Sequence, residues 1–189
     1  MHGAASVHGF AEWLQASAAS QTIKSVSWIV PLVQSIHIVT IGVVFVSSLM
    51  IALRVLGGMR ADEPFEAVWR RFAPWMWTGL AVMAATGLTL ITAEPVREFS
   101  ALSFWLKMLL LAITVTGIAL YGHALRPAKS ARAVPAENAA PAAPEASATF
   151  SPSAKAASVL IVALWIAIIF LGRAIAYDGA VWGSLSPHG

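Results

Sequence analysis

Four long apolar runs decide what this chain can fold into. They lie at about 31–56, 72–93, 103–124 and 156–177, and charge is sparse within each. A run of that length makes a helix of roughly 30 Å or more, enough to cross the hydrocarbon core of a bilayer, about 30 Å thick. Inside lipid every backbone N–H and C=O needs an internal partner, and an α-helix supplies it within a single segment. Of the 189 residues 58% are hydrophobic and 11% charged, which is more apolar surface than a soluble domain of this size can hide. The expected fold is therefore all-α: a bundle of four transmembrane helices with an N-terminal amphipathic interfacial helix.

Local chemistry sets the boundaries. In segment 1–27, Ser6 is a candidate cap, Val7, Phe10, Leu14 and Ala18 recur at helical spacing, and Glu12, Gln15 and Ser20 lie off that face. This pattern predicts a helix lying on the membrane, with a frayed tail as the alternative. Glu12, Gln15 and Gln21 interrupt any signal-peptide core, so the segment is expected to stay on the mature chain. Segment 28–126 holds spans one to three. Pro31 suits a first turn and Gly57-Gly58 a C-terminal stop, Pro74 falls early in span two, Glu94-Pro95 closes it, and Ser103 is a candidate cap for span three. Segment 127–155 contains PAENAAPAAPEASA from Pro135 to Ala148, which has too little to bury and reads as a flexible tether, or alternatively a docking strip. Segment 156–189 is span four and a tail.

Positive charge orients the bundle. Arg54, Arg60, Arg70, Arg71, Arg126, Lys129, Arg132 and Lys155 lie at the end joined by the first and third loops, against Lys24, Arg97, Lys107 and Arg173 at the other. The positive-inside rule places the loops and tether in the cytoplasm and both termini outside. Trp69, Trp75 and Trp77 would mark the inner interface, and Trp28, Trp105 and Trp182 the outer.

Several chemistries are excluded. Without cysteine there are no disulfides, thiolate metal sites or iron–sulfur clusters. No serine–histidine–acid arrangement, phosphate-binding glycine loop or zinc-hydrolase histidine motif occurs. The net charge of +3 reflects topology, and no basic run interleaved with aromatics points to nucleic acid.

The polar residues inside the spans carry the functional reading. His37 shares a helical stripe with Gln34, Ile41 and Ser48, and an imidazole within a membrane needs a hydrogen-bond partner, a metal or water. Three roles are open to it: a structural residue bonded across the bundle, a haem or metal ligand, or a proton carrier. Counting from helix centres puts His37 about 10 Å toward the outer side and His123 about 14 Å toward the inner, too far apart to ligate one iron together. Met108 and Lys107 share the level of His37, as does Arg173. Met108 could supply a second axial ligand, His8 could do so if the first helix folds back, or His37 could serve alone. Lys107 and Arg173 would neutralise haem propionates, unless they simply extend to the headgroups. Copper is an alternative, since Met and His are this chain's soft and borderline ligands. Glu94 is expected to pair with Arg173 and tie span two to span four. Gly79, Gly87 and Gly117 are candidate points of close helix contact.

FAEWL at Phe10 to Leu14, VQSIH at Val33 to His37, ALRVLGG at Ala52 to Gly58, FAPWMWTGLAVMAATGL at Phe72 to Leu88, FWLKMLLL at Phe104 to Leu111 and GRAIAY at Gly172 to Tyr177 give the chain a family likeness. It resembles small bacterial four-helix membrane proteins of unknown function, distantly similar to the membrane part of copper-resistance protein D. The resemblance implies the same bundle with an amphipathic start and draws attention to His37, Lys107, Met108, Arg173 and Tyr177; in a bacterial inner membrane the charge pattern puts both termini in the periplasm. Members carry an acidic residue before the arginine where this chain has Ala52 and Leu53 before Arg54, which weakens a role for that end. The expected function is a b-type cytochrome-like subunit passing electrons near the outer face, with heme b at His37, Met108, Lys107 and Arg173. It would be part of a redox complex rather than an enzyme alone, with membrane or periplasmic subunits and lipid as partners. The alternative, without any cofactor or with copper, is an accessory subunit of a membrane complex or a copper-handling protein.

Overall fold

A computed structural model describes residues 2–59, 62–125 and 150–183, with the backbone alone for 2–6. The tether from Pro135 to Ala148, and Arg60, Arg126, Lys129 and Arg132, lie outside the described residues. The helices are α1 (His2–Ala16), α2 (Ala18–Ser25), α3 (Ile29–Leu56), α4 (Phe65–Ala93), α5 (Pro95–Ser100), α6 (Leu102–Leu125) and α7 (Pro152–Ala174). A 3-10 turn (Ile175–Tyr177) and α8 (Asp178–Trp182) follow. No strand occurs among the described residues. Four helical stretches, α3, α4, α6 and α7 continued through α8, are long and apolar enough to cross a membrane.

Two spans begin earlier than hydropathy suggests. α4 starts at Phe65 rather than near residue 72, because Phe65, Val68 and Trp69 bury themselves in the core despite the charges around them. Pro74 therefore lies inside the helix and not in its first turn. α7 starts at Pro152, with the Ser151 hydroxyl accepting from the Ala154 amide at 3.2 Å and proline in the first turn, where its missing N–H costs nothing.

The bundle is a square. α3 packs against α4 and α7, and α7 packs against α6. The Trp69 indole of α4 rests on Gly122 of α6 and joins the remaining side, so α3 and α6 stand diagonally opposed. Val44, Ile51, Val55, Met76, Trp165 and Ile168 fill the centre. Gly79 permits a close α3–α4 approach: a methyl there would stand 2.6 Å from Val44 Cγ2. Gly117, expected to do the same, faces open space. Two polar contacts tie core helices together, Ser48 donating to the Met76 sulfur at 3.3 Å and Tyr121 bonded to Ser158, while the buried Trp165 Nε1 has no hydrogen-bond partner among the described residues.

The two ends differ. At one, Gly57 closes α3 in the left-handed conformation (φ 79°). Beside it the buried Arg54 donates to the Glu63 carbonyl and lies 5.4 Å over the Phe150 ring. The other end is covered by α1, α2, α5 and α8. The N-terminal segment is two helices, broken at Ser17, whose hydroxyl caps α2 by accepting from the Ser20 amide. α1 packs on α5 and α2 on α4. Ala11 is buried, whereas Phe10, on the stripe expected to face the membrane, is half-exposed beside an exposed Trp13 and meets Phe99 edge-on.

Candidate functional site

His37 sits two turns into α3, about 12 Å from its first residue, at the end covered by the short helices. Its Nδ1 lies 2.7 Å from Thr86 Oγ1 of α4. The Thr86 hydroxyl has one proton and also lies 2.8 Å from the Val82 carbonyl of its own helix. With that proton given to Val82, Thr86 accepts toward His37, and the imidazole then carries its proton on Nδ1 and a lone pair on Nε2. The ring is seated against the next residue, Gly87, where an added methyl would just touch Cε1 at 3.6 Å. Gly87 thus serves the histidine rather than a tight helix crossing.

Lys107 reaches this site from the diagonal helix. Its side chain passes over Gly172 of α7, Cδ and Nζ lying 3.7 and 3.9 Å from where a β-carbon would stand. The ammonium acts electrostatically on both His37 and Glu98 of α5. Glu98 also faces Arg97 at 3.6 Å, and Arg97 in turn holds Glu94 at 2.6 Å. Burial raises the Glu98 pKa above the usual carboxylate value, a shift that Lys107 and Arg97 oppose. A polar line thus runs from Thr86 through His37 and Lys107 to the acidic and basic groups of α5.

The other expected site residues are placed differently. Met108 follows Lys107 by about 100° around α6, and where Lys107 is directed into the bundle Met108 is 37% exposed. Arg173 is exposed at the end of α7. The expected Glu94–Arg173 tie does not form: Glu94 takes Arg97, three residues away within the same turn. His8 pairs with Glu12 at 3.4 Å and, with Lys24, Glu94 and Arg97, lines a cleft of about 460 Å³ between the short helices. His123 is exposed at the opposite end of the bundle. No group of three or more His, Asp or Glu able to hold a metal ion occurs among the described residues.

Thr86 and Asp178 are the residues sequence reasoning missed. Thr86 could have been found by counting, because it lies within one residue of the same distance from the end of α4 as His37 does from the start of α3. Asp178 caps α6 from a distance: its carboxylate accepts from the amides of Leu102 and Ser103. Ser103 is consequently not the cap but lies within the first turn, where its hydroxyl accepts from Trp182 Nε1 at 2.7 Å.

Fold and site together define a small multi-pass membrane protein with a histidine held between its first two spans. The chain belongs to a family of unknown function (DUF6644), whose model matches residues 10–136. The match takes in His37, Thr86, Lys107 and Met108 and ends before α7 and Arg173. No curated protein and no solved structure matches it.

Proposed function

We propose that this chain is a b-type cytochrome-like subunit of a membrane redox complex, with His37 as the axial ligand to heme b. The observation that carries this reading is the His37–Thr86 hydrogen bond. A histidine that ligates iron commonly donates its other ring N–H to a protein acceptor, which fixes tautomer and orientation, and Thr86 is such an acceptor. Lys107 favours haem over copper at this position. Its ammonium repels a metal cation bound at His37, whereas it complements a propionate, and Arg173 is a further cation at this end. Met108 is the thioether at the right level for the opposite axial position, which it would fill by turning inward; otherwise iron keeps one protein ligand.

The positive-inside pattern supports a bacterial inner-membrane location with the histidine near the periplasmic face and both termini periplasmic. One haem near one face does not carry electrons across a bilayer, so the reading includes membrane or periplasmic partner subunits. An absorbance spectrum with metal analysis on gently purified protein tests it. The expected result is a Soret band with stoichiometric iron, lost in His37→Ala and kept in His123→Ala. A folded bundle without iron or Soret absorbance overturns it.

The exposure of Met108 favours a second reading, an accessory subunit without cofactor. A copper-handling variant of it would bind the metal at His37 with methionine support, the borderline and soft ligands of a cysteine-free chain. Copper in place of iron in the same metal analysis distinguishes that variant, and neither metal leaves the accessory role.

A further inference from the structure

At the end away from His37, a crevice of about 410 Å³ opens between α4 and α6. Trp69 resting on Gly122 holds the two helices at this spacing. Arg70, Pro74 and Trp77 form the α4 wall, and Gly122 and His123 the α6 wall. We infer that this crevice binds one anionic phospholipid, its phosphate held by Arg70 and His123 and an acyl chain running along Trp77.

Charge points to an anion. No carboxylate lines the crevice. Arg71, the neighbour of Arg70, is engaged by Glu63 at 3.3 Å, whereas the exposed Arg70 makes no ion pair among the described residues. The guanidinium fork and an imidazole N–H are both donors suited to phosphate oxygens. Pro74 adds an acceptor, since it has no amide hydrogen to give the Arg70 carbonyl. That oxygen is left for a headgroup hydroxyl, as glycerol headgroups provide.

Depth points to a lipid. The 29 residues of α4 make a helix of about 43 Å, against a hydrocarbon core of about 30 Å, so its first turns reach into the headgroup layer. Arg70 lies about 8 Å along α4 and Trp77 about 10 Å deeper. Trp75, 66% exposed, stands between them in chain order, where an indole at the boundary of headgroup and hydrocarbon is stable. Basic pockets between spanning helices are suited to anionic headgroups.

The full-length protein, purified in mild detergent, is titrated with phosphatidylglycerol or phosphatidylcholine and bound lipid is counted by native mass spectrometry. Phosphatidylglycerol is expected to bind preferentially at one site, with about a fivefold loss of affinity for each donor removed in Arg70→Gln and His123→Gln. Ala119→Phe, which fills the crevice without touching a charge, is expected to abolish the site, and Arg97→Gln at the opposite end to leave it unchanged. Equal binding of the two lipids, or wild-type binding by the Arg70→Gln, His123→Gln double variant, overturns the inference. So does displacement by millimolar inorganic phosphate, which would mark a phosphate site. Tighter lipid binding after deletion of residues 130–148 would make the tether the occupant and overturn it as well.

Discussion

The carboxylate of Asp178 caps α6 by accepting from the Leu102 and Ser103 amides at 3.1 and 3.0 Å. A buried acid at the end of the fourth span thereby satisfies two of the four amides that the third span leaves open at its start, and its charge complements the helix dipole. Asp178→Ala is expected to destabilise the bundle by about 1–2 kcal/mol, as loss of an N-cap does. Asp178→Asn should cost less, because one oxygen remains to accept. Thermal unfolding in detergent measures both, and an unchanged midpoint for Asp178→Ala would show the cap to be idle.

That contact also marks how far the sequence could be read. The four spans were legible because the bilayer imposes a length on any apolar helix, and His37 because a histidine in such a run needs a partner. The start of α4 was not, since Glu66, Arg70 and Arg71 end the hydropathic run while Phe65, Val68 and Trp69 continue the helix by packing. Glu94 and Arg173 share a level, but level does not settle pairing when Arg97 lies one turn away. The Asp178 cap joins residues 75 or more positions apart, and nothing in the local pattern of either segment encodes it. Composition and periodicity report what a helix faces, and much less about which distant group closes its end.

The glycines differ in kind, and substitution should separate them. At Gly79 a methyl would meet Val44 Cγ2 at 2.6 Å, while at Gly117 it would meet nothing within 4 Å. Gly79→Ala is expected to cost about 1–3 kcal/mol by overpacking and Gly117→Ala to be neutral. Val44→Ala should recover part of the Gly79→Ala loss by removing the atom it strikes. A double-mutant cycle on unfolding midpoints measures the coupling, and additive losses would place the strain elsewhere.

Glu98 gives the bundle a pH dependence of defined sign. Its folded-state pKa is raised from 4.5, chiefly by burial, against the opposing pull of Lys107 and Arg97. The stabilising contribution of the protonated carboxyl is therefore complete below about 4.5 and is lost as pH rises through the raised value. Glu98→Gln, which cannot ionise, should flatten that slope and raise the midpoint near neutrality. Unfolding midpoints followed from pH 4 to 8 check it, and a parallel slope in the variant would assign the dependence to another group.

Thr86 provides the sharpest test of the histidine site, because its role can be read with and without a cofactor. Thr86→Val keeps the shape and removes the acceptor for His37 Nδ1–H, whereas Thr86→Ser keeps the acceptor. If Thr86 fixes the tautomer, ¹⁵N spectra of the labelled histidine should place the proton on Nδ1 in the wild type and in Thr86→Ser, and lose that preference in Thr86→Val. The unsatisfied ring N–H should also cost about 1–3 kcal/mol of stability. With heme b as the ligand, affinity in Thr86→Val should fall by about 10- to 100-fold, the usual effect of removing the outer partner of a metal-bound histidine. A tautomer shift without any haem binding would leave the hydrogen bond standing as a structural tie between α3 and α4, and would remove the redox reading built upon it.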